Sequence, residues 1–167
     1  QVAIANTKLY VNREEGFIGT GLKKDEFLCE CSDLDDIIAF TRRGIMKVVK
    51  VADKTFIGKD IIHAAVFLKN DERTTYNMIY RDGPKGITFM KRFNVTGVTR
   101  DKEYDLTKGT ANSTVYWFTA NPNAETEKVI VHLRAVAGLR KLQLDVDFAE
   151  LEIKARTAVG NIVTKYT

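Results

Sequence analysis

The apolar positions of this chain alternate in short runs, and the runs come in pairs separated by turn residues. "DIIAFTRRGIMKVVKV" at 36–51 turns at Arg42-Arg43-Gly44, "YNMIYRDGPKGITFMKRF" at 76–93 turns around Asp82-Gly83, and "TVYWFTANPNAETEKVIVHL" at 114–133 turns around Asn121-Pro122-Asn123. Glycine, asparagine and proline tolerate or preset turn dihedrals, and Ile, Val, Phe and Tyr dominate the flanks, so the pattern predicts three β-hairpins. Further short strands are expected at 26–31, 63–69 and 141–148, the last alternating through Leu142, Leu144, Val146 and Phe148. No window carries a long 3.6-residue period with caps at both ends; "AVAGLRKL" at 135–142 could form a turn of helix, weakened by Gly138.

The pairs recur. Phe17-Ile18-Gly19 returns as Phe56-Ile57-Gly58, a step of 39, and Phe40, Tyr80 and Phe118 share a column with steps of 40 and 38. A period near forty residues with about four strands per period is the mark of propeller-like blades. Blades packed side by side bury both sheet faces, which accounts for apolar residues at adjacent positions such as Val48-Val49 and Ile130-Val131. An ordinary β-sandwich with accidental similarity is the alternative.

The stretches "REEGFIGTGLKKDEFL", "DDIIAFTRRGIMKVVKV", "NDERTTYNMIYRDG" and "DFAELEIKARTAVGN" resemble the C-terminal domain of the A subunit of bacterial type IIA topoisomerases, gyrase and topoisomerase IV. The resemblance runs along nearly the whole chain. It implies an all-β fold, a β-pinwheel of ~40-residue four-stranded blades, with three recognisable repeats and an incomplete fourth, whose rim binds and bends duplex DNA. Residues 1–167 are expected to form a single C-terminal DNA-binding domain, an excised fragment cut short at its C-terminal end. The family's cleavage tyrosine directly follows an arginine, and none of the six tyrosines here does. Gyrase carries a loop of glutamine, two arginines, two glycines, lysine and glycine; the counterpart "REEGFIG" at 13–19 keeps Arg13, Gly16 and Gly19 but holds Glu14 and Glu15 where cations would stand. Acids facing phosphates repel, which favours the topoisomerase IV type. "IKARTAVGN" at 153–161 could be a partial cousin of that loop.

Charge narrows the candidates. Twenty-six Lys and Arg against 22 Asp and Glu give a net charge of +4, a mild excess whose meaning depends on clustering. The turns hold Arg42, Arg43 and Lys47 in one repeat and Arg81 and Lys85 in the next. With Val51, Phe93 and Leu133 aligned, Lys50, Arg92 and His132 form a basic column, whereas Lys91 stands where the other repeats have valine; its stem can lie on apolar surface while the ammonium reaches solvent. Lys154 and Arg156 complete the DNA-binding candidates. Their expected role is phosphate contact, which fixes register without sequence readout; solvated surface charge is the bland alternative.

Other chemistry finds little footing. Cys29 and Cys31 share a strand face and are expected to be reduced, and the two histidines show no zinc spacing. Asp33, Asp35 and Asp36 read as solvated turn acids rather than an acid and base pair. There is no phosphate-cradling glycine loop and no nucleophile elbow, so no catalytic residue, metal or cofactor is expected in the fragment. By resemblance, ATP and Mg²⁺ belong to the B subunit, which with a dimer of A subunits and duplex DNA completes the partners. No membrane span or signal peptide is legible, and a cytoplasmic, chromosome-associated location is expected. A propeller that binds protein partners instead of DNA is the competing function.

Overall fold

The structure is a computed structural model that describes residues 4–135 and 137–166. Its first sheet has a central hairpin, β1 (Thr7–Asn12) and β2 (Phe17–Gly19), flanked by β3 (Glu26–Cys31) on β1 and β6 (Thr55–Phe56) on β2. The second repeats this plan with the hairpin β4 (Asp36–Thr41) and β5 (Ile45–Lys50), β7 (Ile61–Phe67) on β4 and β10 (Glu103–Asp105) on β5. In the third, the hairpin is β8 (Thr75–Arg81) and β9 (Thr88–Asn94), with β11 (Thr114–Asn121) on β8. The outer side of β9 is shared by β14 (Ile153–Ala155), parallel, and β15 (Asn161–Thr164), antiparallel. A fourth hairpin, β12 (Lys128–His132) and β13 (Gln143–Asp147), stands as a two-stranded sheet.

The order of elements interlocks the sheets. After each new hairpin the chain steps back to close the second arm of the preceding hairpin: β6 after β5, β10 after β9, and β14 and β15 after β13. Backbone bonds pin these crossings, Ile57 N donating to Gly16 O at 2.7 Å and Leu106 N to Gly44 O at 2.8 Å. Both glycines lie at the hairpin turns with φ of 85° and 82°, a region open to glycine at little cost. The expected all-β blade architecture is therefore present, in two four-stranded sheets, a five-stranded sheet and a two-stranded fourth.

Two expectations are corrected. Phe17-Ile18-Gly19 and Phe56-Ile57-Gly58 are not equivalent positions of two repeats but partners: Phe17 lies opposite Phe56 across the β2–β6 ladder, their rings 5.2 Å apart. The third predicted hairpin does not form either. β11 pairs with β8 and β12 pairs with β13, so the Asn121–Asn123 turn carries the chain from the third sheet to the fourth. Turn residues specify a change of direction but not which strands pair on either side of it. Of the possible helical turn at 135–142, Val136 lies outside the described residues; the rest includes a turn at Gly138, φ 83°.

Packing follows strand alternation. On β4, Ile37 and Ala39 face the first sheet with Leu9, Val11 and Ile57, whereas Ile38 and Phe40 face the third with Tyr76, Met78 and Tyr80. On β8, Ile79 turns the other way, to Val146 and Phe148. Phe40, Tyr80 and Phe118, the aligned column, converge on the core between the second and third sheets, with Phe40 and Phe118 rings 4.6 Å apart. Cys29 and Cys31 are free thiols, and burial pushes that of Cys31 up to about 11.

His63 on β7 lies between Phe40 and Phe118, ring centroids 5.8 and 5.5 Å away. Burial, aided by the Arg13 charge, lowers its pKa to about 4. The unfolded chain then binds the extra proton between pH 4 and 6.5, so this contribution to stability is complete above pH 6.5 and lost as pH falls through 4. His63→Phe should remove up to about 3 kcal/mol of acid sensitivity across that window, read as the wild-type-minus-variant difference in urea unfolding free energy.

Candidate nucleic-acid interface

Four of the predicted cations meet at one place. The turn between β4 and β5 presents Arg42 and Arg43, both exposed, and is held by Val115 N donating to Arg42 O at 2.7 Å. Arg42 Nη1 donates back to Val115 O at 3.1 Å, and Arg43 Nη1 donates to Asn112 Oδ1 at 2.9 Å. The turn between β8 and β9 reaches the same loop from the other side: Gly83 N donates to Ser113 Oγ at 3.0 Å, and that hydroxyl donates to Thr110 O. Arg81 is set by its Nε bond to Gly83 O at 3.0 Å and its guanidinium lies 5.6 Å from the Tyr116 ring centre, while Lys85 is exposed on the turn. The loop at 107–113 thus bridges the turn that carries Arg42 and Arg43 and the turn beside Arg81 and Lys85, and adds its own exposed Lys108.

Lys108 escaped the sequence reading because it lies between the repeat columns; its only signal was the polar, glycine-containing "TKGTANS" run. The tip of the first hairpin is different. Arg13 occupies the place of Arg42, its carbonyl accepting from Ile61 N at 2.9 Å, but its guanidinium is spent on Glu26 at 2.9 Å and its neighbours Glu14 and Glu15 are exposed. Cations therefore outnumber acids on the second and third tips, where Asp82 is half-buried, and acids outnumber cations on the first.

The remaining candidates scatter. Lys50 ends β5, about 17 Å of strand from the turn, and Lys47 is half-buried mid-strand with Nζ donating to Phe56 O at 3.4 Å. Lys154 is exposed on β14, and the Arg156 guanidinium sits 4.2 Å from the Tyr104 ring centre on β10. His132 is exposed at the end of β12, beside a groove that Arg81 also lines. The expected column of Lys50, Arg92 and His132 is not a structural column, since the three occupy different places in their sheets.

Lys91 and Arg92 require correction, because neither reaches the surface. Lys91 is 3% exposed: its Nζ donates to Arg156 O at 2.8 Å and Ala158 O at 3.0 Å. Tyr80 Oη donates to the next carbonyl, Val159 O, at 2.6 Å, so the connection from β14 to β15 is bound from below by three side-chain bonds. Arg92 is 9% exposed and faces the fourth hairpin, with Nη2 donating to Ala124 O at 2.7 Å and Nη1 reaching Leu151 O at 3.5 Å. Adjacent cations point to opposite faces of β9, and each satisfies carbonyls of the segment packed on its own face.

The interlocked sheets define a blade-type, all-β domain with exposed cations on two successive hairpin tips. The chain belongs to the family described as topoisomerase C-terminal domain, Bacteroidota, matched over residues 8–167. It is 28% identical over 165 residues to the A subunit of DNA topoisomerase 4 from Borreliella burgdorferi, covering 98% of this chain and 24% of that protein. The chain thus spans about a quarter of that relative's length. No solved structure gives a significant match. The family resemblance read from the sequence, to the C-terminal domain of a type IIA topoisomerase A subunit, holds.

Burial lowers the Lys91 pKa to about 8, with Asp105 opposing and Arg156 adding to the fall. The depressed value means that stability rises with pH from about 8 toward the ordinary lysine value of 10.5, where the unfolded chain still carries the proton. Lys91→Met should cost about 1–3 kcal/mol by orphaning two carbonyls. Its deficit against wild type should widen as pH rises through 8; urea unfolding at pH 7 and 10 reads both effects.

Proposed function

We propose that this domain binds duplex DNA, without sequence selection, along the ridge formed by Arg42, Arg43, Lys108, Arg81 and Lys85. The observation that carries the reading is a single loop, bearing Lys108, that is bonded through its Asn112 and Ser113 side chains to two hairpin tips carrying four further cations. A fixed array of guanidinium and ammonium groups suits phosphate contact, in which Arg supplies forked donors and Lys point charges. No base-reading element accompanies it among the described residues. A duplex resting on two successive tips and passing an acidic first tip would be turned away from Glu14 and Glu15, which supports bending over the second and third blades rather than wrapping onto the first.

In the parent protein the domain would hold a DNA segment for strand passage by a topoisomerase IV-type enzyme, working as a dimer of A subunits with B subunits in the cytoplasm on the chromosome. ATP hydrolysis and its Mg²⁺ belong to the B subunit in this reading. Among the described residues no group of three or more His, Cys, Asp or Glu side chains is placed to hold a metal ion. The domain's contribution is to bind and orient. Among the described residues no helix is long and apolar enough to cross a membrane.

Affinity for a short duplex should fall with log salt at a slope of up to about 4.5, about 0.9 for each of five phosphates met. Replacing Arg42, Arg43, Arg81, Lys85 and Lys108 by alanine should flatten the slope to near zero, whereas replacing Lys50 and Lys154 should change it by less than about one. Fluorescence anisotropy across a salt series reads the slopes. A slope unchanged in the fivefold variant would place the contacts elsewhere and refute the ridge.

A further inference from the structure

The geometry points to a strand-docking site for an acidic, extended segment of a partner protein, in the groove between the free edge of β12 and the face of the third sheet. This interaction goes beyond DNA binding, although Arg81 borders both surfaces. The groove has a volume of about 900 Å³. One wall is formed by the consecutive residues 129–134. Successive residues of a strand can line one cavity together only along its backbone edge, since their side chains alternate between faces.

That edge is open. Leu133 N donates to Leu142 O and Phe148 N to Glu127 O, which sets the odd-numbered main-chain groups of β12 toward β13. The N–H and C=O groups of Lys128, Ile130 and His132 consequently point the other way, and among the described residues none meets them. At the same edge of each earlier hairpin an antiparallel strand is seated: β3 on β1, β7 on β4 and β11 on β8. The occupant of β12 should therefore be an extended segment running antiparallel to it, held by main-chain bonds in strand addition. Ile130, 53% exposed, awaits the apolar cover that such a strand provides.

Charge specifies the partner. Arg81, His132, Arg134 and Lys165 line the groove and, among the described residues, no carboxylate does, while Tyr116 and Trp117 of β11 add aromatic surface to the lining. An occupant alternating apolar and acidic side chains matches both features. An extended chain also suits the exposed strand edge, since strands pair about 4.8 Å apart.

Trp117, the single tryptophan, lines the groove and reports occupancy. An eight-residue peptide of alternating valine and glutamate should change its emission saturably and slow amide exchange at Ile130 and His132, and the valine–lysine peptide should do neither. Ile130→Pro, which removes an outward N–H, should weaken binding about tenfold or more. The amide exchange in wild type stands independently should that variant fail to fold. The proposal is overturned by no response to the acidic peptide or by an equal response to the basic one. It is likewise overturned if Trp117 emission shifts with protein concentration alone, which makes a second copy the occupant. Equal slowing at Ile130 by a short duplex would overturn it by assigning the groove to nucleic acid, and slow exchange there in the full-length parent without peptide would do so by showing that the parent fills the edge itself. The full-parent outcome leaves the ridge reading intact, because that reading stands on the salt slope and on protection at the two tips.

Discussion

In this domain the second arm of each of the first three hairpins finds its hydrogen-bonding partners only in chain that comes later. β2 waits for β6, β5 for β10, and β9 for β14 and β15. Each sheet is thus closed by a segment belonging, in sequence, to the next unit, and neighbouring sheets cannot separate without breaking a ladder. Burial of both faces of β4 and β8 follows, with Ile37 and Ile38, or Met78 and Ile79, serving different cores. The same crossings bring the loop at 107–113 onto two hairpin tips, so the interlock that shapes the core also assembles the basic ridge.

The buried cations belong to this arrangement as well. Return segments expose carbonyls to sheet faces as they change direction, and a buried carbonyl without a donor is costly. Lys91 and Arg92, one on each face of β9, supply donors to Arg156, Ala158, Ala124 and Leu151. Two of the chain's 26 Lys and Arg thus act inside the protein, and its net charge of +4 overstates what is free to meet a polyanion. What matters for binding is the contrast between the second and third tips and the first, where Glu14 and Glu15 stand exposed.

Fold class and the hairpins at 36–51 and 76–93 were legible because turn chemistry and strand alternation are local properties. Pairing between distant segments was not. Phe17-Ile18-Gly19 and Phe56-Ile57-Gly58 look like a repeat because partners on one ladder meet similar surroundings, and Asn121-Pro122-Asn123 marks a turn without saying which strands it joins. For the site, Arg42, Arg43, Arg81 and Lys85 were readable from the turns that hold them. Lys108 was not, since only tertiary structure brings its loop to them. Alternation alone separates Lys91 from Arg92, but the carbonyls that Lys91 finds lie 65 and 67 residues away in sequence, and those that Arg92 finds lie in two separate segments.

The central claim is that the ridge around the loop at 107–113 is where the duplex rests. Amide hydrogen exchange with and without a short duplex tests it most directly. Slowing confined to 42–44, 81–86 and 107–113 is the predicted result; slowing instead at the first tip around Glu14, or along β14 at Lys154, would contradict the account.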